Sequence, residues 1–390
     1  MKKFTKYILI ILCLFLVSGC DVYLYNFDEN STSNSDNSNT ENSSNLSGSS
    51  TGTTIVNPET NYSGFINYTN QEPTTESAWD VIYERVKSSV VTIRNVVNGS
   101  IQSTGSGVFF AEDSITSGYA YIFTNAHVVE GSTSIEVLLF NDIMVEGTLI
   151  AYDKNEDVAI IKIAKRDDYS IATLRQSDSL KIGEKVLAIG SPLGEKYSQT
   201  ATSGIISNLN IAMSSENSSL DLYLIQVDAA LNPGNSGGPL FDNAGNLIGI
   251  NTMKLINSGT STNIESFNYA IPISHFSLVA SYLLQGSLYY RPFLNIAIID
   301  IRLLSSNDRN NHSLEIDHGL LILEIGDTSP LKNKVTVGQV ITHIEDIKIS
   351  KASDFSVELL KYAPNDTIDI TICNADGSNS SIIEITLIKR

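Results

Sequence analysis

The chain has 390 residues, enough for two or three domains whose cores need no covalent staples. Charged residues make up only 17%, and Asp+Glu (43) outnumber Lys+Arg (25) for a formal net charge of -18, which excludes a nucleic-acid partner because an acidic surface gains nothing from counterion release. Five scattered histidines, and three cysteines of which only Cys373 lies in the body of the chain, argue against a metal site, a cofactor built on one, or an internal disulfide.

Lys2, Lys3 and Lys6 precede an apolar run from Tyr7 to Val17, a positive segment followed by one too short to span a bilayer comfortably. Residues 1–19 read as an export signal. The run ends in Leu16-Val17-Ser18-Gly19-Cys20, which resembles the lipobox of bacterial lipoproteins. That resemblance implies an acylated Cys20, anchored by lipid on the extracytoplasmic face of the cell membrane; ordinary cleavage with Cys20 incidental is the alternative. Loss of the three lysines leaves the chain more acidic still, so acyl chains rather than charge would do the anchoring. Residues 20–75 follow as a tether: between Ser31 and Thr54 nearly every residue is Ser, Asn, Thr, Gly, Asp or Glu, and Leu46 is the only large side chain of the aliphatic kind, too little to bury. As a flexible coil, about 55 residues span roughly 40 Å. Unstructured filler of no particular length is the other reading.

Trp79, Ile82, Tyr83 and Val86 recur at helical spacing, with Ser77 as a cap, and open a domain over residues 76–285. Short runs rich in Val, Ile, Thr and Phe then follow at 90–96, 107–110, 120–124, 134–140, 145–152, 159–163, 185–189, 201–208, 222–228 and 247–252. Gly, Asn, Asp and Ser separate them, and an apolar helix at 278–284 closes the domain. Strand after strand without long helices predicts an all-β barrel or sandwich.

Pro233-Gly234-Asn235-Ser236-Gly237-Gly238-Pro239 is a tight turn with one hydroxyl at its centre. A serine nucleophile needs such backbone, uncrowded by side chains and with N–H groups free to meet an oxyanion. Alone, the same residues describe a surface hairpin turn. Two other segments add chemistry: Thr124-Asn125-Ala126-His127-Val128-Val129 ends one strand and Asn155-Glu156-Asp157-Val158-Ala159-Ile160 begins another. A base, a carboxylate and a hydroxyl then occur in the order His, Asp, Ser, each at a strand edge, which is the order of chymotrypsin-like enzymes.

These motifs resemble those of the HtrA family of trypsin-like serine proteases, and the similarity extends to Gly105-Ser106-Gly107-Val108, to 186–194, to Thr202-Ser203-Gly204, to 226–232, to Gly249-Ile250-Asn251 and to Tyr269-Ala270-Ile271-Pro272. The resemblance implies a chymotrypsin-like double β-barrel with Ser236 as nucleophile, His127 as general base and Asp157 as the acid that orients it. The N–H groups of Gly234, Asn235 and Ser236 would form the oxyanion hole. Enzymes of this type that cut after Lys or Arg carry an acid six positions before the nucleophile, where this chain has Ala230; with Leu231 and Ile250 at the pocket, cleavage after small or medium aliphatic residues is expected.

Residues 286–390 resemble the smaller α+β PDZ domain of the same family. Phe293, Leu294, Asn295 and Ile296 match its carboxylate-binding loop, 353–362 its groove helix, and Asp376-Gly377 a hairpin turn. Asn295 stands where the family has glycine and Gln339 where it has Asp, so a domain that only packs is the alternative to one that binds peptide C-termini. The whole then reads as an exported, membrane-tethered serine endopeptidase of protein quality control acting on unfolded or misfolded proteins, homotrimeric as the family usually is, with the polar stretches 210–221 and 254–266 as regulatory loops. A non-proteolytic chaperone or peptide sensor on the same fold is the alternative function.

Overall fold

The computed structural model describes residues 78–389 except 114–117, 193, 216–217 and 253–267, together with 53–55, 66 and 68–69. The export signal, Cys20, most of the tether, Ser77 and the stretch 254–266 lie outside the described residues. Two compact units divide at Tyr289 and Tyr290.

In the first unit α1 (Trp79–Val86) starts after Ala78 rather than from a side-chain cap. It leads into β1 (Val90–Val97), β2 (Ser100–Glu112), β3 (Tyr119–Thr124), the one-turn α2 (Ala126–Val129), β4 (Ser134–Leu138), β5 (Met144–Asp153) and β6 (Val158–Ala164). These six strands pair antiparallel in the order β5-β4-β1-β2-β3-β6, and β6 returns to β5, so the sheet closes into a barrel with no free edge. A second barrel joins β7 (Lys185–Gly190), β8 (Thr200–Ser215), β9 (Ser218–Val227), β10 (Pro239–Asp242), β11 (Leu247–Thr252) and β12 (Asn268–Pro272) in the order β10-β7-β8-β9-β12-β11, with β11 pairing back onto β10. Helix α3 (Ile273–Leu284) ends the unit.

Alternation along the strands explains why there are several cores. In β6, Ala159, Ile161 and Ile163 face the interior of the first barrel, while Val158 and Ile160 join a different cluster. That second cluster draws Val108, Phe110 and Phe123 from the first barrel, Leu187, Phe241 and Ile250 from the second, Ile82 from α1 and Phe276 from α3. It welds the barrels together. Phe110 stacks on Phe123 with centroids 3.5 Å apart, and Phe123 meets Phe276 at 5.0 Å; burying each ring stabilises by about 1.5–3 kcal/mol. Trp79 and Tyr83 pack partly buried against this same core.

Three departures from the sequence reading have local causes. Strands β10 and β12 are four and five residues long, with proline at an end, too short for period-two alternation to show. Helix α3 begins at Ile273, ahead of the apolar run, because Ser274 and Ser277 find partners there: the Ser177 N–H donates to Ser274 Oγ at 2.7 Å, and Ser277 Oγ donates to Ile273 O at 2.7 Å. Within the stretch 210–221, residues up to Ser215 extend β8 and those from Ser218 extend β9, with Ala212 opposite Tyr223, so these described positions are strand rather than loop.

In the second unit β13 (Ile296–Asp300), β14 (Leu320–Ile325), β15 (Val340–Ile344), β16 (Thr367–Cys373) and β17 (Ser381–Thr386) form an antiparallel sheet in chain order, with β13 at one edge. Two helices accompany it. The short α4 (Ser306–Asn311) is capped by Ser305, whose hydroxyl accepts from the Asp308 N–H. The other, α5 (Ala352–Leu359), buries Phe355 and Leu359 against Ile298, Ile344 and Ile370 of the sheet. Gly377 turns the β16–β17 hairpin at φ 80°.

Candidate active site

His127 is on α2, immediately after β3 runs into the inter-barrel region, and Asp157 ends the turn between β5 and β6. Asp153 shapes that turn: its Oδ1 accepts from the N–H groups of Asn155 at 2.9 Å and Glu156 at 3.1 Å. Asp157 itself has φ 55°, a region that side-chain-bearing residues avoid at a cost of about 1 kcal/mol or more, so its neighbours must over-determine it. They do. Its carbonyl accepts from Asn125 Nδ2 at 3.1 Å, and its fully buried carboxylate receives the His127 backbone N–H at 3.1 Å, His127 Nδ1 at 2.9 and 3.0 Å, and Thr252 Oγ1 at 3.0 Å. A carboxylate only accepts, so the imidazole proton sits on Nδ1 and Nε2 is left as a base.

The Ser236 backbone packs beside the segment that carries His127. The Asn232-Pro233-Gly234-Asn235 segment has proline second and a glycine of φ 104° third, the pattern of a type II turn, and the Asn235 N–H closes it on Asn232 O at 2.9 Å. The N–H of Asn235, one of the expected oxyanion donors, is therefore already engaged within the turn. A second turn follows at once, with the Gly238 N–H on Asn235 O at 3.0 Å and Gly237 at φ 82°. A Cβ on Gly237 would collide with Ser106 O and Thr124 Oγ1, so only glycine allows this turn to lie against the strand that leads to His127. On the other side, a Cβ on Gly105 would meet Val128 methyls at 2.7 Å and Ser236 O at 3.1 Å. The residue after the histidine and the serine backbone thus converge on one point.

Three positioning residues were given no role by the sequence reading. Ser106, fully buried, gives its N–H to Ser236 O at 2.8 Å and its hydroxyl to Gly234 O at 2.7 Å, while that hydroxyl accepts from the Ser191 N–H at 2.9 Å. One hydroxyl thereby fixes the serine turn to both barrels. At the end of β11, Asn251 exchanges backbone bonds with Gly237 and Gly238, and the next residue, Thr252, bonds Asp157. Ser106 and Asn251 lie in motifs that carry the family resemblance; Thr252 has no sequence signal, because a threonine ending a strand is ordinary.

Of the expected pocket residues, Ala230 is exposed, and Leu231 and Ile250 are buried in separate clusters. The segment before Leu231 is held by Asn268 Nδ2 on Ala229 O at 2.9 Å and Thr202 Oγ1 on Ala230 O at 2.8 Å. In the second unit Phe293, Leu294 and Ile296 are buried. Asn295 takes φ 49° and donates from Nδ2 to Thr328 Oγ1 at 2.7 Å, the left-handed geometry asparagine tolerates best among residues with side chains.

Comparison with known proteins agrees with this architecture. A model of the trypsin-like peptidase domain matches residues 105–250. The serine protease Do-like HtrA of Lactococcus lactis subsp. lactis is 32% identical over 293 residues, which cover 73% of this chain and 71% of that protein. Do-like HtrB of Bacillus subtilis is 33% identical over 297 residues, 71% of this chain and 63% of that one. A solved structure, the HtrA-type protease AlgW with a tripeptide, aligns with a TM-score of 0.61 at 27% identity, over 80% of this chain and 98% of its own. Two closed barrels with a histidine–aspartate pair at a glycine-rich serine turn, and identity of this extent, make the chain a member of the HtrA family of trypsin-like serine proteases.

Proposed function

We propose that this protease hydrolyses peptide bonds of unfolded or misfolded proteins through Ser236, His127 and Asp157. Ser236 Oγ attacks the scissile carbonyl as Nε2 of His127 takes its proton; the imidazolium then protonates the leaving amine, and Asp157 keeps the ring in the productive tautomer throughout. The N–H groups of Gly234 and Ser236 receive the oxyanion, each donor contributing about 3–4 kcal/mol at the transition state. The observation that carries the reading is the buried Asp157 carboxylate on His127 Nδ1, which leaves Nε2 as the base beside the serine turn.

Specificity follows from Ala230, which offers a basic side chain no countercharge, so cleavage falls after small or medium aliphatic residues. Digestion of unfolded casein by the mature chain tests both statements. Products should end in such residues, and Ser236→Ala should lose activity by several orders of magnitude. Predominant cleavage after Lys or Arg refutes the pocket assignment, and hydrolysis by Ser236→Ala at the wild-type rate refutes the nucleophile. Suppression of client aggregation by both proteins, with hydrolysis by neither, favours the chaperone reading.

The second unit acts in this proposal as a PDZ domain. An open sheet edge at β13 with α5 in the same unit suits addition of a peptide strand, with the loop at 293–296 facing the terminal carboxylate. Lipid on Cys20 holds the protein at the outer face of the membrane; Cys20→Ala should move it from the membrane to the soluble fraction, and unchanged fractionation rejects the anchor. A homotrimer is part of the proposal, and sedimentation of residues 76–390 tests it.

A further inference from the structure

The turn that presents Asp157 bears a second buried acid beside it. Glu156 is 2% exposed, and its Oε2 lies 2.8 Å from Nε2 of His275, in the first turn of α3. Because the carboxylate only accepts, Nε2 carries the proton of this pair, whereas at His127 the proton toward the carboxylate is on Nδ1. Consecutive acids therefore hold two imidazoles through opposite ring nitrogens. The His275 ring packs edge-on to Tyr289, centroids 5.8 Å apart, and its Nδ1 is buried with no hydrogen-bond partner among the described residues. All directed bonding by this imidazole thus goes to Glu156.

Such a pair is a poor choice for stability alone, since apolar residues of similar volume would serve as well or better. What it supplies is direction. Helix α3 packs on β5 and β6, the two strands that flank the Asp157 turn, and on β11, whose last residue is Thr252. A bond from α3 to residue 156 fixes the turn at the point just before the backbone enters the left-handed φ of Asp157. Asp153 fixes the start of the turn and Asn125 the carbonyl after it, so the Glu156 bond completes the set.

We propose that His275 is a positioning residue for the reaction: through Glu156 it anchors the Asp157 turn to α3 and so holds the Asp157 carboxylate in line with His127. The inference rests on the proposed catalytic roles of Asp157 and His127.

Steady-state hydrolysis of fluorescein-labelled casein by the full mature chain tests it. The double variant Glu156→Leu, His275→Leu removes both polar partners and keeps the volume, so neither is left buried without the other; its kcat should fall about 10- to 100-fold with KM changed less than about twofold, the signature of a misplaced catalytic group. His275→Gln, which retains an N–H near the Nε2 position, should keep kcat within about threefold of wild type. Wild-type kcat in the double variant, whatever its Tm, overturns the proposal, as does a folded His275→Gln as impaired as the double. Should the double not fold, His275→Asn, whose amide is too short to reach Glu156, is judged by the same criterion. Ser236→Ala run alongside separates the two ideas: its inactivity upholds the serine mechanism even where the His275 result fails, and its full activity removes the mechanism itself.

Discussion

At the scale of single residues, the Thr252 hydroxyl donates to the Asp157 carboxylate beside His127. A neutral donor to a buried carboxylate is worth about 1.5–3 kcal/mol, and removing it frees the carboxylate to rotate away from the imidazole. Thr252→Val should therefore lower kcat/KM about tenfold, mostly in kcat, while Thr252→Ser keeps most of it. Fluorogenic peptide kinetics check this, and equal rates for Val and Ser would remove Thr252 from the site. His127, Asp157 and Ser236 stood out in the sequence through their order along the chain and the family resemblance of the segments around them, not through any one segment alone. Thr252 and Ser106 did not stand out, since what matters about them is only the backbone they happen to face. Asn235 shows the converse: from the sequence its amide belongs with its neighbours, and only the turn reveals that Asn232 O already holds it.

Among elements, β13 decides what the second unit can do. An edge strand presents unpaired backbone groups, a template for another chain, and α5 lies in the same unit with Phe355 and Leu359 buried against the sheet. A labelled decapeptide ending in an aliphatic residue should bind the full chain saturably and lose binding when its C-terminus is amidated, as fluorescence polarisation would read. Equal affinity for acid and amide would contradict carboxylate recognition by residues 293–296. Helix α5 was readable from the period of Phe355 and Leu359, although it ends at Leu359 and leaves Tyr362 of the expected 353–362 outside it, and the hairpin was readable from Asp376-Gly377. The strands that close the second barrel were harder: β10 and β12 are short and proline-flanked, and both exist because β11 lies between them to be paired.

For the whole molecule, the acidic composition bears on stability against pH. Asp168 is held at about 2, first by the Arg166 guanidinium, at 2.8 Å to each carboxylate oxygen, and then by Asn141. Glu112 is lowered chiefly by the Tyr169 hydroxyl at 2.6 Å, with Lys165 adding to it. A carboxyl lowered in the folded state binds its proton sooner when unfolded. Its contribution is complete above the ordinary carboxylate range, near 4, and is lost as pH falls through the folded value. Both acids are partly exposed, so each effect is small. The Tm difference between wild type and Asp168→Asn, present at pH 6, should close by pH 2; a difference of constant size would show that the Arg166 pair does not titrate with folding.

The all-β class and the order His127, Asp157, Ser236 along the chain are read from composition, period and spacing, while the double barrel and the expected pocket at Ala230 came from the family resemblance. Tertiary structure alone decided that β11 carries both Asn251 against the serine turn and Thr252 against Asp157, that Ser106 ties the turn to both barrels, and that Glu156 meets His275, 119 positions away. The physical reason is that barrel closure sets which distant backbones become neighbours, and a hydrogen bond between them leaves no trace in the local pattern of either partner.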